Sequence, residues 1–274
     1  MFGKLLKNDL KAQWSSVSSI FLIILIASVV AEIAIAVSKS AVVTLLGGLL
    51  VSVLMLFACF VIVIAVAMMF SKTLFGRAGY LTLTLPVKTN KLVWSKTLSG
   101  LIWTYAVYIL FFGAVFLWFY QARDYLGVDY TDMANQLFTM LFGKSFSTLA
   151  ATLIYYLIWF GIIMFAVVQS IYLGITCSHV KGISAIGAVG AILVTFLTLG
   201  IVVALTGFVT RYLPLGMVVT AENVIFTSNI VTTQLKLDRY LYGFNFAGPA
   251  FTLLLSTLIN IPIVYLVKNK VNIK

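Results

Sequence analysis

Six stretches of this chain, 17–37, 41–70, 97–120, 146–176, 183–208 and 248–267, are long apolar runs that hold one acid, Glu32, between them. A helix needs about 20 such residues to cross the hydrocarbon of a bilayer. Backbone polar groups in lipid must be satisfied within the segment, which a helix does. The pattern therefore predicts an all-α polytopic membrane protein: six transmembrane helices forming a single domain over 1–274. The chain is 62% hydrophobic and 9% charged, whereas soluble domains carry about 25% charged residues. Two cysteines, Cys59 inside one run and Cys177 at the end of another, imply no disulfide framework.

Residues 1–16 read as an amphipathic interfacial helix. Lys4, Lys7 and Lys11 share one stripe, with Phe2, Leu5, Leu6 and Leu10 broadly opposite. Asp9 points into the apolar face, so part of that face is expected to pack on protein that offers a donor. The first apolar run ends near a small-x-small triplet, Ala34-Ile35-Ala36. It is longer than a signal-peptide core and reads as an uncleaved anchor. Glu32, near the outer end of that run, is expected to be solvated. The turn at 38–40 makes the first two spans a hairpin. Gly187, Gly190, Gly200 and Gly207 would let the fifth span approach a neighbour closely.

Charge sets the orientation. With both termini inside, the inner segments hold twelve basic residues against one acid, Asp9. The outer segments hold six basic residues and six acids, Glu32 included. That bias predicts cytoplasmic N- and C-termini. It makes 71–96 a cytoplasmic loop and 209–247 an extracellular one. The net charge of +11 follows membrane topology, and nucleic acid is not an expected partner.

Catalytic and metal motifs are lacking. Gly143-Lys144-Ser145 ends like a P-loop, but Phe138 stands where the first glycine belongs. Cys177-x-His179 offers two ligands where structural zinc wants four. Span interiors nearly free of ionisable groups argue against an ion-coupled pump. Hydroxyl and amide groups do occur there. Thr252, Ser256 and Asn260 repeat every fourth residue on one face of the last span; Thr195 with Thr198, and Gln169 with Ser170, sit in the fifth and fourth. Two readings stay open for these: interhelical hydrogen bonding, or a weakly polar wall along a substrate pathway.

The loop after the second span reads Leu74-Phe75-Gly76-Arg77-Ala78-Gly79-Tyr80-Leu81-Thr82-Leu83-Thr84-Leu85-Pro86, and Ser95-Lys96-Thr97-Leu98 follows. This resembles the loop between spans 2 and 3 of ABC-2-type transporter permeases of Firmicutes, whose common form is F-G-R-E-G-Y-L-T-L-T-L-P with a later S-K-x-L. Ala78 stands in place of the acid. The resemblance implies the membrane subunit of an ATP-driven exporter that is not itself an enzyme. A separate ABC ATPase would hold ATP and magnesium, and a second permease copy or paralogue would complete the transporter. Cargo would be an amphipathic peptide, a lipid-like molecule or a drug. The family's coupling contact maps onto Leu74, Phe75, Gly76, Arg77, Gly79, Tyr80, Leu81, Leu83 and Leu85, with the 177–182 connector as a secondary contact. The rival reading is a non-transporting immunity or sensor protein that binds peptides at its outer loops.

Overall fold

The structure, a computed structural model, describes residues 2–38, 40–76, 79, 87–125, 146–180, 187–220, 223–237 and 242–269. It is mostly helical. The elements are α1 (Phe2–Ser38), α2 (Ala41–Leu74), α3 (Thr89–Tyr125), α4 (Phe146–Ser178), α5 (Gly187–Tyr212), β1 (Gly216–Val219), β2 (Val224–Thr227), α6 (Ile230–Lys236), β3 (Tyr242–Asn245) and α7 (Ala247–Asn269). Among the described residues, four segments are long and apolar enough to cross a membrane: Leu46–Leu74, Ala150–Ser178, Gly187–Tyr212 and Ala247–Asn269. The chain forms two compact units. One comprises Met1–Tyr130, His179–Lys181 and Val264–Lys274; the other comprises Thr131–Ser178 and Gly182–Ile263.

In the first unit α1, α2 and α3 pack against one another. No glycine or proline follows Gly3 in α1, so nothing interrupts its hydrogen-bond ladder. The interfacial stretch 1–16 and the first apolar run are accordingly one continuous helix, not two. The α1–α2 hairpin is tight: a Cβ on Gly47 would lie 2.6 Å from the Ile35 side chain. The contacts fix the register. Ala31 packs on the Val51–Ala114 cluster, and Val17 clusters with Ala58, Ile62, Ala65 and Val107. Thus α1 runs antiparallel to α2 and parallel to α3.

In the second unit α4 and α5 are antiparallel. The close approach is made by Gly174 of α4, where a Cβ would collide with the Ala191 carbonyl and the Thr195 hydroxyl. This corrects the expectation drawn from the glycines of α5. Gly200 and Gly207 have open space where a Cβ would be, and only Gly190 of that series is buried.

Segment 209–247, expected to be a polar loop, holds the main departure from an all-α fold. It carries a three-stranded antiparallel sheet in the order β2-β1-β3. Gly216 pairs with Thr227 on one side and Asn245 on the other. Thr220 N–H bonds the Asn223 carbonyl at 2.9 Å and closes the first turn. The strands are short Val-, Ile-, Phe- and Tyr-bearing runs of the kind a pleated surface favours. The central strand is buried along its whole length. Met217, Val219 and Phe244 form its core with Ala151 and Tyr155 of α4. Asn229 caps α6, accepting from Thr232 N–H at 3.2 Å.

Candidate functional site

The end of α2 is closed by two backbone hydrogen bonds. Phe75 N–H bonds the Ser71 carbonyl at 2.8 Å, and Gly79 N–H bonds the Gly76 carbonyl at 2.7 Å. Both glycines are sterically required. A Cβ at Gly76 would sit 2.5 Å from the Lys72 carbonyl oxygen, and one at Gly79 would collide with that of Leu74. Leu74 and Phe75 turn inward and are 0% and 7% exposed.

Phe75 is held from two sides. Phe70 meets it edge-on at 6.0 Å. His179 stacks on it with ring centroids 4.3 Å apart and planes 15° from parallel. The structure thus joins two segments singled out in the sequence: the turn after α2 and the connector after α4. Of the other residues onto which the resemblance maps a coupling contact, Gly76 and Gly79 shape the turn. Arg77, Tyr80, Leu81, Leu83 and Leu85 lie outside the described residues.

A polar clasp sits at the same end of this unit. Lys96 Nζ bonds Asp9 Oδ1 at 3.1 Å, and Ser95 Oγ donates to Asp9 Oδ2 at 2.6 Å. The side chains of Lys96 and Asp9 are only 7% and 15% exposed. One turn further, Gln13 Nε2 donates to Ser99 Oγ at 2.8 Å, and Trp14 packs on Trp103 at 5.4 Å. The donor expected for Asp9 is therefore Lys96, with Ser95 beside it. Gln13 and Ser99 carried no sequence signal beyond lying one helical turn along from this pair.

The register brings the lysines to one level. Asp9 beside Lys96 sets α1 against α3, and the antiparallel α1–α2 pairing puts Lys72 at a similar height. At 1.5 Å per residue, Lys4, Lys7, Lys11, Lys72, Lys88 and Lys91 fall in a band roughly 15 Å deep. All six are exposed, and the one acid in the band is already paired with Lys96.

Thr252, Ser256 and Asn260 are all buried. The hydroxyls of Thr252 and Thr206 share a 2.9 Å bond between α7 and α5. Thr252 also bonds the Gly248 carbonyl at 2.9 Å, and Ser256 bonds that of Thr252 at 2.6 Å. Thr252 therefore links α7 to α5, whereas the Ser256 hydroxyl is satisfied within its own helix. Asn260 Oδ1 and both amide atoms of Gln169 are buried with no hydrogen-bond partner. Glu32, expected in interfacial water, is 8% exposed and neither carboxylate oxygen has a partner. It lies one residue from Ala31 of the apolar Ala31–Val51–Ala114 cluster, and neighbouring helices rather than depth decide its environment.

No known protein family, curated protein or solved structure matches this chain.

Proposed function

We propose that this chain is the membrane-spanning permease subunit of an ATP-driven ABC exporter. It crosses the plasma membrane six times with both termini in the cytoplasm. ATP and magnesium are held by a separate ATPase, and a second permease chain completes the transporter. The cargo is an amphipathic peptide, lipid-like or drug-like molecule. The observation that carries this reading is the Phe75–His179 stack. The turn whose sequence resembles the coupling loop packs on the connector after α4 through these two rings. Such a contact supports a route by which force applied at this turn would be shared with the connector.

The six-span count draws support from packing. α1 lies alongside α2 from the Val17 level to the Ile35 level, and α3 runs parallel to α1. Packing along most of the length of a membrane-length helix supports placing α1 in the membrane beside it. The exposed lysine band supplies the positive cytoplasmic face that such a topology requires.

Co-purification with an ABC ATPase encoded beside the gene, in mild detergent, tests the assignment. Gly76→Asp combined with Tyr80→Ala should abolish stimulation of that ATPase and cargo export while the permease still reaches the membrane. Normal export by this variant would remove the coupling role. Failure of any ATPase to co-purify would favour a peptide-binding immunity or sensor protein.

A further inference from the structure

The second unit contains a pocket of about 250 Å³ where the first turns of α4 meet the sheet and the start of α7. Ala151, Ile154, Ile158 and Trp159 of α4 form one wall, Phe226 of β2 and Pro249 of α7 the other. It offers a ligand no polar handle. The hydroxyl of Tyr155, which also lines it, is already donated to the Asn245 carbonyl at 2.8 Å. Selection by such a site rests on shape and dispersion alone, so its occupant is hydrocarbon.

We propose that this pocket holds one acyl chain of a phospholipid. The inference rests on the membrane reading above and is independent of the ATP-driven one. Three observations favour a lipid chain over an apolar peptide side chain. First, the residues at the mouth are also lipid-type surface: Ile154, Ile158 and Phe226 are 56%, 57% and 72% exposed, and α4 lies within a membrane-length apolar segment. Second, the pocket sits at the level of an interface. Tyr155 bonds Asn245, whose amide donates to the Thr210 and Leu213 carbonyls at 3.2 and 3.0 Å. That places the exposed Arg211 and Tyr212 at the same height, the pairing of cation and aromatic rings that marks the edge of hydrocarbon. Third, the sheet and α6 expose Phe226, Val231 and Leu235, the last at 82%. Such a face belongs against acyl chains, so this module lies in the interface and roofs the pocket.

Lipid tails are as apolar as the pocket wall, so no hydrophobic gain drives the chain in. The preference comes from packing. A chain between Trp159 and Phe226 has atoms on both sides, where an empty pocket would forfeit those contacts.

The test uses the full chain in nanodiscs of phosphatidylcholine and phosphatidylglycerol, with a rising fraction of phosphatidylcholine brominated on one acyl chain. Tryptophan emission of the wild type minus that of Trp159→Phe isolates Trp159. Its quenching should saturate at a mole fraction about tenfold below that needed for the other tryptophans, an affinity difference near 1.4 kcal/mol. Ala151→Phe, which fills the pocket from its α4 wall, should abolish the early phase. Phe226→Ala, at an exposed roof position that leaves the core intact, should weaken it with helical circular dichroism unchanged. Quenching of Trp159 in step with the other tryptophans would overturn the pocket and leave the membrane reading standing. No quenching of any tryptophan would overturn the membrane reading itself. Loss of the early phase on adding an apolar helical peptide, but not on adding unbrominated lipid, would assign the site to peptide instead.

Discussion

Asp9 shows how far one residue can be read. Its place on an apolar stripe demanded a donor, and that demand is met by Lys96 and Ser95. The identity of the donor was not legible, because the pair is separated by 87 positions and only the parallel packing of α1 on α3 brings them together. Both side chains are nearly buried, so removing one leaves the other charged and unpaired. Asp9→Ala is expected to cost about 3–5 kcal/mol, read as a lowered midpoint of unfolding in detergent. Asp9→Leu with Lys96→Met should recover most of that loss, since the pair is then replaced by apolar volume. Glu32 is the opposite case. Its carboxylate has no partner to lose, so Glu32→Leu should be neutral or stabilising, by up to about 1–3 kcal/mol. A large loss of stability in that variant would mean that the carboxylate has a partner in the assembled protein.

At the level of elements, periodicity and apolar run length located the helices well. The third apolar run, expected over 97–120, lies inside the longer helix α3, Thr89–Tyr125. The sheet escaped because each strand is four residues long, too short for a period of two to stand out, and because β3, which pairs with β1, follows it only after β2 and α6. Its pairing depends on Gly216, where a Cβ would collide with the Phe244 carbonyl. Gly216→Ala should therefore loosen the β1–β3 edge. Hydrogen exchange should speed up at 216–219 and 242–245, while α4 and α5 keep their protection. The polar face of α7 was legible as a stripe but not as to purpose, since a stripe that binds a neighbouring helix and one that lines a path have the same spacing. The two uses separate by mutation. Asn260→Leu removes an unsatisfied oxygen and should leave stability unchanged or raised. Thr252→Val breaks the bond to Thr206 and should lower it by about 0.6 kcal/mol, the mean for interhelical bonds in membranes. Export that survives both would assign the face to packing.

For the whole molecule the decisive quantity is how many times the chain crosses the bilayer, and the two possible counts differ at one place. If only the four membrane-length segments crossed, α1 would stay on the side where α2 begins. Lys4 would then be separated from Lys88 by the membrane, and Lys88 would share a side with Lys236. If α1 and α3 cross as well, Lys4 and Lys88 lie together and Lys236 lies opposite. The contacts within the first unit favour the second arrangement. The Asp9–Lys96 bond and the Trp14–Trp103 pair hold the beginnings of α1 and α3 side by side at the end of α2, as the proposed six-span arrangement expects. Single cysteines at positions 4, 88 and 236, in a background with Cys59 and Cys177 replaced by alanine, make the distinction. In intact cells a membrane-impermeant maleimide should label Lys236→Cys alone, and permeabilisation should expose Lys4→Cys and Lys88→Cys together. Labelling of Lys88→Cys along with Lys236→Cys from outside would reduce the count to four. It would also remove the cytoplasmic placement of the lysine face that the proposed ATPase partner requires.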